Sequence, residues 1–281
     1  MSHDRRTALV TGSTDGVGRY VASRLAESGA HVLVHGRDRA RGEQVVEGIQ
    51  RLGRGSAEFH QADLASLAQV RELARTIQLE HRRLDLLVNN AGIGRGPPGG
   101  VRETSADACE LRFAVNYLAG FLLTRLLVPL LTATAPARIV NVASAGQRAI
   151  DFDDVMLTRN YTGMRAYMQS KLAQVLFTFD LARELEGTGV TVNALHPATY
   201  MPTTMLRETG MTPASTIEEG GDAILRLATS PEVEGTTGQY FIGTKASHAD
   251  AQAYDPAART RLRTLSFELT GLAPRSVAGV P

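Results

Sequence analysis

Short apolar runs alternate with longer amphipathic stretches along almost the whole chain. The runs fall at 7–11, 31–35, 57–61, 84–89, 138–143, 190–195 and 239–242, and several are continuous rather than alternating. A continuous run is what a strand needs when both faces of a parallel sheet are covered. Between them, apolar residues recur every three or four positions at 19–27, 40–51, 67–80, 106–131, 164–186 and 215–229, which predicts helices. Strand, helix, strand in succession predicts a doubly wound α/β fold, a seven-stranded parallel sheet with helices on both faces. No Pro/Gly/Ser-rich linker interrupts the 281 residues. One domain spanning 1–281 is therefore expected, with 255–281 a tail holding one short helix and a loose Gly/Pro ending.

Two stretches have no period. Residues 92–100 read Gly-Ile-Gly-Arg-Gly-Pro-Pro-Gly-Gly, and 200–213 are rich in Met, Pro and Thr. Loops at the carboxyl edge of an open α/β sheet line its ligand crevice. Met156, Leu157, Met201, Met205, Leu206 and Met211 are the apolar candidates for that lining.

Charge and composition narrow the function by exclusion. Thirty Lys and Arg stand against 29 Asp and Glu, interspersed, for a net charge of +1. That balance makes no electrostatic case for nucleic acid or an anionic membrane surface. The most apolar stretch, 118–131, is interrupted by Arg125 and is shorter than the ~20 residues a membrane span needs, so a buried helix and no membrane partner are expected. Residues 1–6 are polar, and the run at 8–10 is too short for a signal peptide. Cys109 is the only cysteine, which excludes an internal disulfide and fits a reducing, cytoplasmic location. Among His3, His31, His35, His60, His81, His196 and His248, only His31 and His35 have helix-like ligand spacing, and they lie on one predicted strand. No metal site is expected.

The first strand runs into Thr11-Gly12-Ser13-Thr14-Asp15-Gly16-Val17-Gly18, and a helix follows. Glycines in such a turn let the backbone approach a pyrophosphate, whose charge meets the helix N-terminus. The spacing is Gly-x-x-x-Gly-x-Gly, and its strand-to-helix setting predicts a dinucleotide site. The second strand ends at His35-Gly36-Arg37-Asp38. An NAD site places a carboxylate near this point to accept from the ribose 2′-hydroxyl. Here Gly36 and Arg37 occupy it, and Arg37 can pair with a 2′-phosphate, which favours NADP over NAD; a solvated surface arginine is the other reading. Asp15 and Asp38 place opposing negative charge nearby. Asp63, before Leu64, either accepts from the adenine amino group or caps the helix beginning near Ser66.

Tyr167 and Lys171 sit four apart in a predicted helix, on one face. A free phenol with pKa ~10 is a poor acid–base group at neutral pH. A cation ~4 Å away at an effective dielectric of ~20 is worth up to ~4 kcal/mol, nearly three pH units. That would bring the phenol within range of general acid–base work. Ser144 ends the fifth strand, where its hydroxyl either donates to a substrate oxygen or forms a turn. A hydrolase nucleophile is the poorer reading, because Val142 stands where a nucleophile elbow needs glycine.

With the glycine loop, Asn89-Asn90-Ala91-Gly92, Asn116, Ser144 and Tyr167/Lys171 in this order, the chain from about Thr7 to Ile242 resembles the short-chain dehydrogenase/reductase family, a Rossmann fold. The long interval between Ser144 and Tyr167, Leu195-His196-Pro197, Ala228-Thr229-Ser230-Pro231-Glu232 and Glu268-Leu269-Thr270-Gly271-Leu272 resemble its retinol-dehydrogenase-like branch. The resemblance implies an NADP(H)-dependent oxidoreductase that interconverts a small-molecule carbonyl and its alcohol by hydride transfer; an NAD-linked alcohol dehydrogenase and a non-catalytic NADP-binding regulator are the other readings. Tyr167 would be the general acid/base and Ser144 would orient the carbonyl. Lys171 would bind the nicotinamide ribose and lower the tyrosine pKa, and Asn116 would hold a relay water. Asn90 would support the central strand beside the adenosine ribose. It further implies cofactor contacts from Gly12, Thr14, Asp15, Gly16, Val17, Gly18, Arg37, Asp63, Leu64, Asn90, Ala91, Gly92, Tyr167, Lys171, Pro197, Thr199 and Thr203, and a possible homodimer or homotetramer through the long helices. Two positions depart from the family pattern. Ala198 replaces its glycine after Pro197, and the carboxamide threonine is shifted, leaving Thr203 or Thr204. Tyr161 is a second tyrosine near the first, but Arg165 stands at its i+4 position.

Overall fold

A computed structural model describes residues 5–207 and 210–273. Residues 1–4 and the predicted Gly/Pro ending from 274 lie outside the described residues. The seven expected strands are present: β1 Thr7–Val10, β2 His31–Gly36, β3 Ser56–Gln61, β4 Leu86–Asn89, β5 Ala137–Val142, β6 Val190–His196 and β7 Tyr240–Ile242. An eighth, β8 Lys245–Ser247, pairs antiparallel to β7 at the sheet edge. Lys-Ala-Ser carries no apolar run, so the hydrophobic pattern did not mark it. The order is β3-β2-β1-β4-β5-β6-β7-β8, parallel except for that last pair. The chain builds outward from β1 in one direction, returns to β4 beside it, and builds outward in the other. The reversal between β1 and β4 opens the crevice at their carboxyl ends.

Successive strand residues point to opposite faces, so one continuous apolar run feeds two cores. Leu9, Leu33, Leu87 and Ile139 enter the core under α3 (Leu67–Glu80), α4 (Ala119–Thr134) and α5 (Gly163–Glu184). Val10, Val34, Val88 and Val140 enter the other, under α1 (Gly16–Glu27), α2 (Arg39–Leu52) and α7 (Ile217–Thr229), with the short α6 (Thr204–Arg207) between β6 and α7. The helices start at polar caps: Asp15, Asp38, Ser66, Thr162 and Thr216 each accept a first-turn N–H. Ser66 is thus the cap of α3, while the Asp63 carboxylate holds the Ala65 N–H at 3.0 Å in the preceding turn.

The helix expected over 106–131 begins later and in another form. The Ser105 hydroxyl accepts from Asp107 N and Cys109 N, a local turn that competes with helix, and Ala108 takes φ +60°. Phe113–Leu118 then form a π-helical segment that leads directly into α4. Together, Phe113–Thr134 are long and apolar enough to cross a membrane, contrary to the shorter stretch read from sequence, and 72% of that window is buried inside the protein. Covering the sheet accounts for its apolarity. The C-terminal helix is also longer than expected: α8, Pro256–Thr270, starts at the Asp255 cap and stops at Gly271 with φ +62°. It lies across α4 and α5, with Phe267 5.4 Å from the Phe121 ring and Arg263 2.8 Å from Asp180.

Candidate active site

The glycine turn is held from three sides. Asn90 Nδ2 donates to the Thr11 and Gly12 carbonyls at 2.9 and 3.2 Å, and the Thr11 hydroxyl accepts from the N–H groups of Asn90 and Ala91. A β-carbon on Gly18 would sit 2.3 Å from the Gly12 carbonyl oxygen and 2.4 Å from Asn90 Nδ2. Only glycine lets α1 start this close to β4. Gly12 takes φ +64°, and a β-carbon there would strike the Ala91 backbone at 2.8 Å. Asn90 thus ties β4 to the loop itself. His35, missed from sequence, supports the loop from below: its buried Nδ1 accepts the Gly12 N–H at 3.2 Å, and burial lowers its pKa to about 4, so the ring is neutral.

Thr14 packs on Gly36, where any β-carbon would lie 2.5 Å from its methyl group. The end of β2 is therefore glycine for steric reasons, and no carboxylate stands there. Asp38 is engaged as the α2 cap. Arg37 is exposed, and its guanidinium makes no hydrogen bond or ion pair among the described residues. With Gln61, Asp63 and Gln69 it lines an open groove of about 590 Å³ along the β3 edge. Leu64 is buried behind Asp63. Asp15 accepts from Gly16 N at 2.8 Å and from the Thr204 hydroxyl at 2.6 Å, and the latter bond chiefly holds its pKa low. The Thr203 methyl lies where a Gly16 β-carbon would meet it at 3.1 Å. The loop after β6 therefore closes on the glycine turn through both threonines. His196 and Thr199 share a 3.0 Å contact on either side of Pro197.

At the other half of the crevice, α5, β5, the π segment and the loop after β4 meet. Lys171 is 3% exposed; its Nζ donates to the Val142 carbonyl and to Gln174 Oε1, both at 2.9 Å, and burial pulls its pKa down to about 7. Nζ lies 5.9 Å from the Tyr167 ring centroid. Burial raises the Tyr167 pKa and a hydrogen bond from Ser144 opposes it, leaving the phenol above its ordinary value. The lysine amine donates toward β5 and Gln174 rather than to the phenol. Asn116 sits in the π segment, a distortion frequent at functional sites. Its amide is spent on Ile93, N–H and carbonyl, and on the Ser170 hydroxyl. A β-carbon on Gly92 would lie 3.2 Å from Asn116 Oδ1 and 3.5 Å from Lys171 Nζ, so the two side chains flank one bare stretch of backbone.

Ser144 is positioned by residues that sequence reasoning missed. Its carbonyl accepts from Tyr240 Oη at 3.0 Å and Gln147 Nε2 at 2.8 Å, and its hydroxyl accepts from Gly146 N. Tyr161 is occupied elsewhere: Arg112 donates to its hydroxyl at 2.8 Å and to the Gly94 carbonyl at 2.9 Å, beside buried Glu110. That cluster pins the loop 92–100. The apolar lining is smaller than expected. Leu157 is buried in the core, the Met156 sulfur accepts from Glu110 N, and Met201 packs on Gly220. Leu206 is buried too, which leaves Met205, against Gly94, and exposed Met211, whose sulfur accepts from Arg95 at 3.5 Å.

An open α/β sheet with a glycine turn at its switch point and a Ser-Tyr-Lys group across the crevice defines a nicotinamide-dependent oxidoreductase of the short-chain type. Residues 6–213 match the short chain dehydrogenase family, and the chain belongs to it. Within the family it falls in the retinol-dehydrogenase-like branch: human retinol dehydrogenase 13 is 39% identical over 98% of this chain and 88% of its own. An uncharacterised protein from Mycobacterium paratuberculosis superposes with TM-score 0.77 at 28% identity, covering 95% of this chain and 93% of its own. A Beutenbergia cavernae protein described as an NAD(P)-dependent gluconate 5-dehydrogenase, with NADP bound at low occupancy, superposes with TM-score 0.67 at 34% identity, over 84% and 94%.

Proposed function

We propose that this enzyme uses NADPH to reduce an aldehyde or ketone to its alcohol, and runs the reverse oxidation with NADP. The observation that carries the reading is the meeting of Ser144, Tyr167 and Lys171 across a crevice from a glycine turn whose strand-end neighbour, Arg37, is exposed with no guanidinium partner among the described residues. The residues fit the cofactor: Gly12, Gly16 and Gly18 leave the backbone bare at a helix N-terminus, and Gly36 followed by Arg37 offers a cation where a ribose carboxylate partner would otherwise stand. Thr14, Val17, Ala91, Gly92, Pro197, Thr199 and Thr203 complete the walls, and Asp63 and Leu64 receive the adenine end.

When bound, the nicotinamide supplies or accepts the hydride at the carbonyl carbon. Ser144 holds the carbonyl oxygen, and Tyr167 gives that oxygen its proton as the hydride arrives, so carbonyl plus hydride plus proton yields the alcohol. A phenol kept protonated by burial suits the reducing direction. Lys171, with a pKa of about 7, gains or loses its proton at neutral pH beside the phenol. Asn116 acts as a positioning residue, clamping Ile93 and the helix that carries Lys171. The relatives' name adds long apolar alcohols and aldehydes to the substrate panel. A copy pairing through α4 and α5 would have to displace α8, so assembly through that face is not part of this reading.

The test follows NADPH and NADH consumption against a panel of aldehydes and ketones, with Tyr167→Phe alongside. Turnover with NADPH that disappears in the variant is expected. Equal turnover with NADH, or a fully active variant, would overturn the cofactor or the proton-donor assignment respectively.

A further inference from the structure

The fold gathers a set of metal-ligating side chains away from the crevice. Glu58 and His60 alternate onto one face of edge strand β3. The C-terminal end of α3 delivers Glu80 and the C-cap residue His81 to the same face. One donor atom from each of these four residues lies within 4.8 Å of all the others. Glu58 Oε1 receives both imidazoles, His60 Nε2 at 2.8 Å and His81 Nε2 at 2.7 Å. Both rings are withdrawn from water, their side chains 9% and 13% exposed. A further ring backs the carboxylate: His31 Nε2 is 3.7 Å from Glu58 Oε2, and its Nδ1 is fixed by the Ser56 hydroxyl at 2.7 Å.

We propose that Glu58, His60, Glu80 and His81 form a structural site for a divalent transition metal, with Zn²⁺ the best match. Two imidazoles and two carboxylates are a borderline donor set that suits zinc over Mg²⁺ or Ca²⁺, which take oxygen ligands. Tetrahedral zinc with bonds of about 2.0–2.1 Å places its ligand atoms about 3.3 Å apart. The two Nε2 contacts to Glu58 Oε1 need open by only about half an ångström, and Glu80 swings inward from the solvent side. Each imidazole binds through Nε2 with its proton on Nδ1, and His31 supplies the outer-shell support that orients a ligating carboxylate. Four protein ligands close the coordination sphere, which is the pattern of a structural rather than a catalytic zinc. The position agrees. Glu58 pairs in register with Leu33, and His81 lies just before β4, at the end of the sheet opposite the cofactor crevice. The metal would staple the outermost strand to the end of α3.

The experiment titrates ZnCl₂ into the full-length, tag-free chain by calorimetry, and CoCl₂ by visible absorption. Saturable binding of a single metal per chain is expected, with intense tetrahedral Co²⁺ bands. An upward shift of roughly 5 °C in Tm is expected at a hundredfold excess of zinc over its Kd. His81→Asn and Glu58→Gln should each weaken binding at least about tenfold, while His248→Asn, at an exposed histidine, should leave it unchanged. His81 is partly exposed at a helix end, so that variant keeps the test independent of folding even if His60→Asn unfolds the chain. Unchanged affinity in His81→Asn, a weak six-coordinate Co²⁺ spectrum, or no saturation at micromolar zinc would each overturn the site.

Discussion

Lys171→Met should reshape the dependence of stability on pH in the cofactor-free enzyme. The lysine is 3% exposed, and burial lowers its pKa from 10.5 to about 7, which corresponds to roughly 5 kcal/mol against carrying the proton in the folded state. Between pH 7 and the unfolded value near 10.4, the unfolded chain holds a proton that the folded chain has released. Stability therefore rises with pH through that window. At pH 7 the slope is about half its limiting value of roughly 1.4 kcal/mol per pH unit and it approaches that limit by pH 8, so the gain from pH 7 to 9 is about 2 kcal/mol. Methionine cannot titrate. It leaves the Val142 carbonyl and Gln174 Oε1 without their donor, a cost that does not change with pH. Urea unfolding of both proteins at pH 6, 7, 8 and 9 isolates the lysine, since the other titrating groups are shared. At an m-value of about 3 kcal/mol/M, the wild-type midpoint should gain about 0.7 M on the variant between pH 7 and 9. A constant difference across the series would refute the argument, because it would mean that Lys171 keeps an ordinary pKa inside the fold.

Gly18→Ala should abolish cofactor binding and cost about 1–3 kcal/mol of stability, since its β-carbon collides with the Gly12 carbonyl; fluorescence titration with NADPH and a thermal melt read the two effects. Tyr240→Phe removes one of two donors to the Ser144 carbonyl and should lower kcat several-fold with little change in KM, at about 1 kcal/mol in stability. A proportionate rise in KM instead would mean that Tyr240 shapes substrate binding and not the serine. Arg37→Ala should raise the KM for NADPH by about tenfold or more while leaving NADH kinetics alone, the mark of a lost charge-assisted contact to a 2′-phosphate. Equal effects on both cofactors would remove Arg37 from that role.

Local pattern by itself determined the seven parallel strands, the alternation with helices, the glycine turn and the Tyr167/Lys171 spacing. Each is encoded within a window of a few residues: a continuous run for a two-faced strand, an i, i+4 pair for one helix face, glycines where backbone must come close. What only the tertiary structure decided depends on chain segments far apart in sequence. Lys171 Nζ is held by the Val142 carbonyl that β5 offers it, and burial is the largest cause of the shift at both Lys171 and Tyr167. Ser144 is aimed by Tyr240 from β7, and Asp15 is locked by Thr204 from the short helix that follows β6. The π segment at Asn116 arises where the Ser105 turn delays the helix, a competition that periodicity does not register. Strand β8 is polar and needs only a partner edge. His60 and His81 carry no ligand spacing at all. They converge on Glu58 because the crossover through α3 brings the chain back to the face of the strand it has just left.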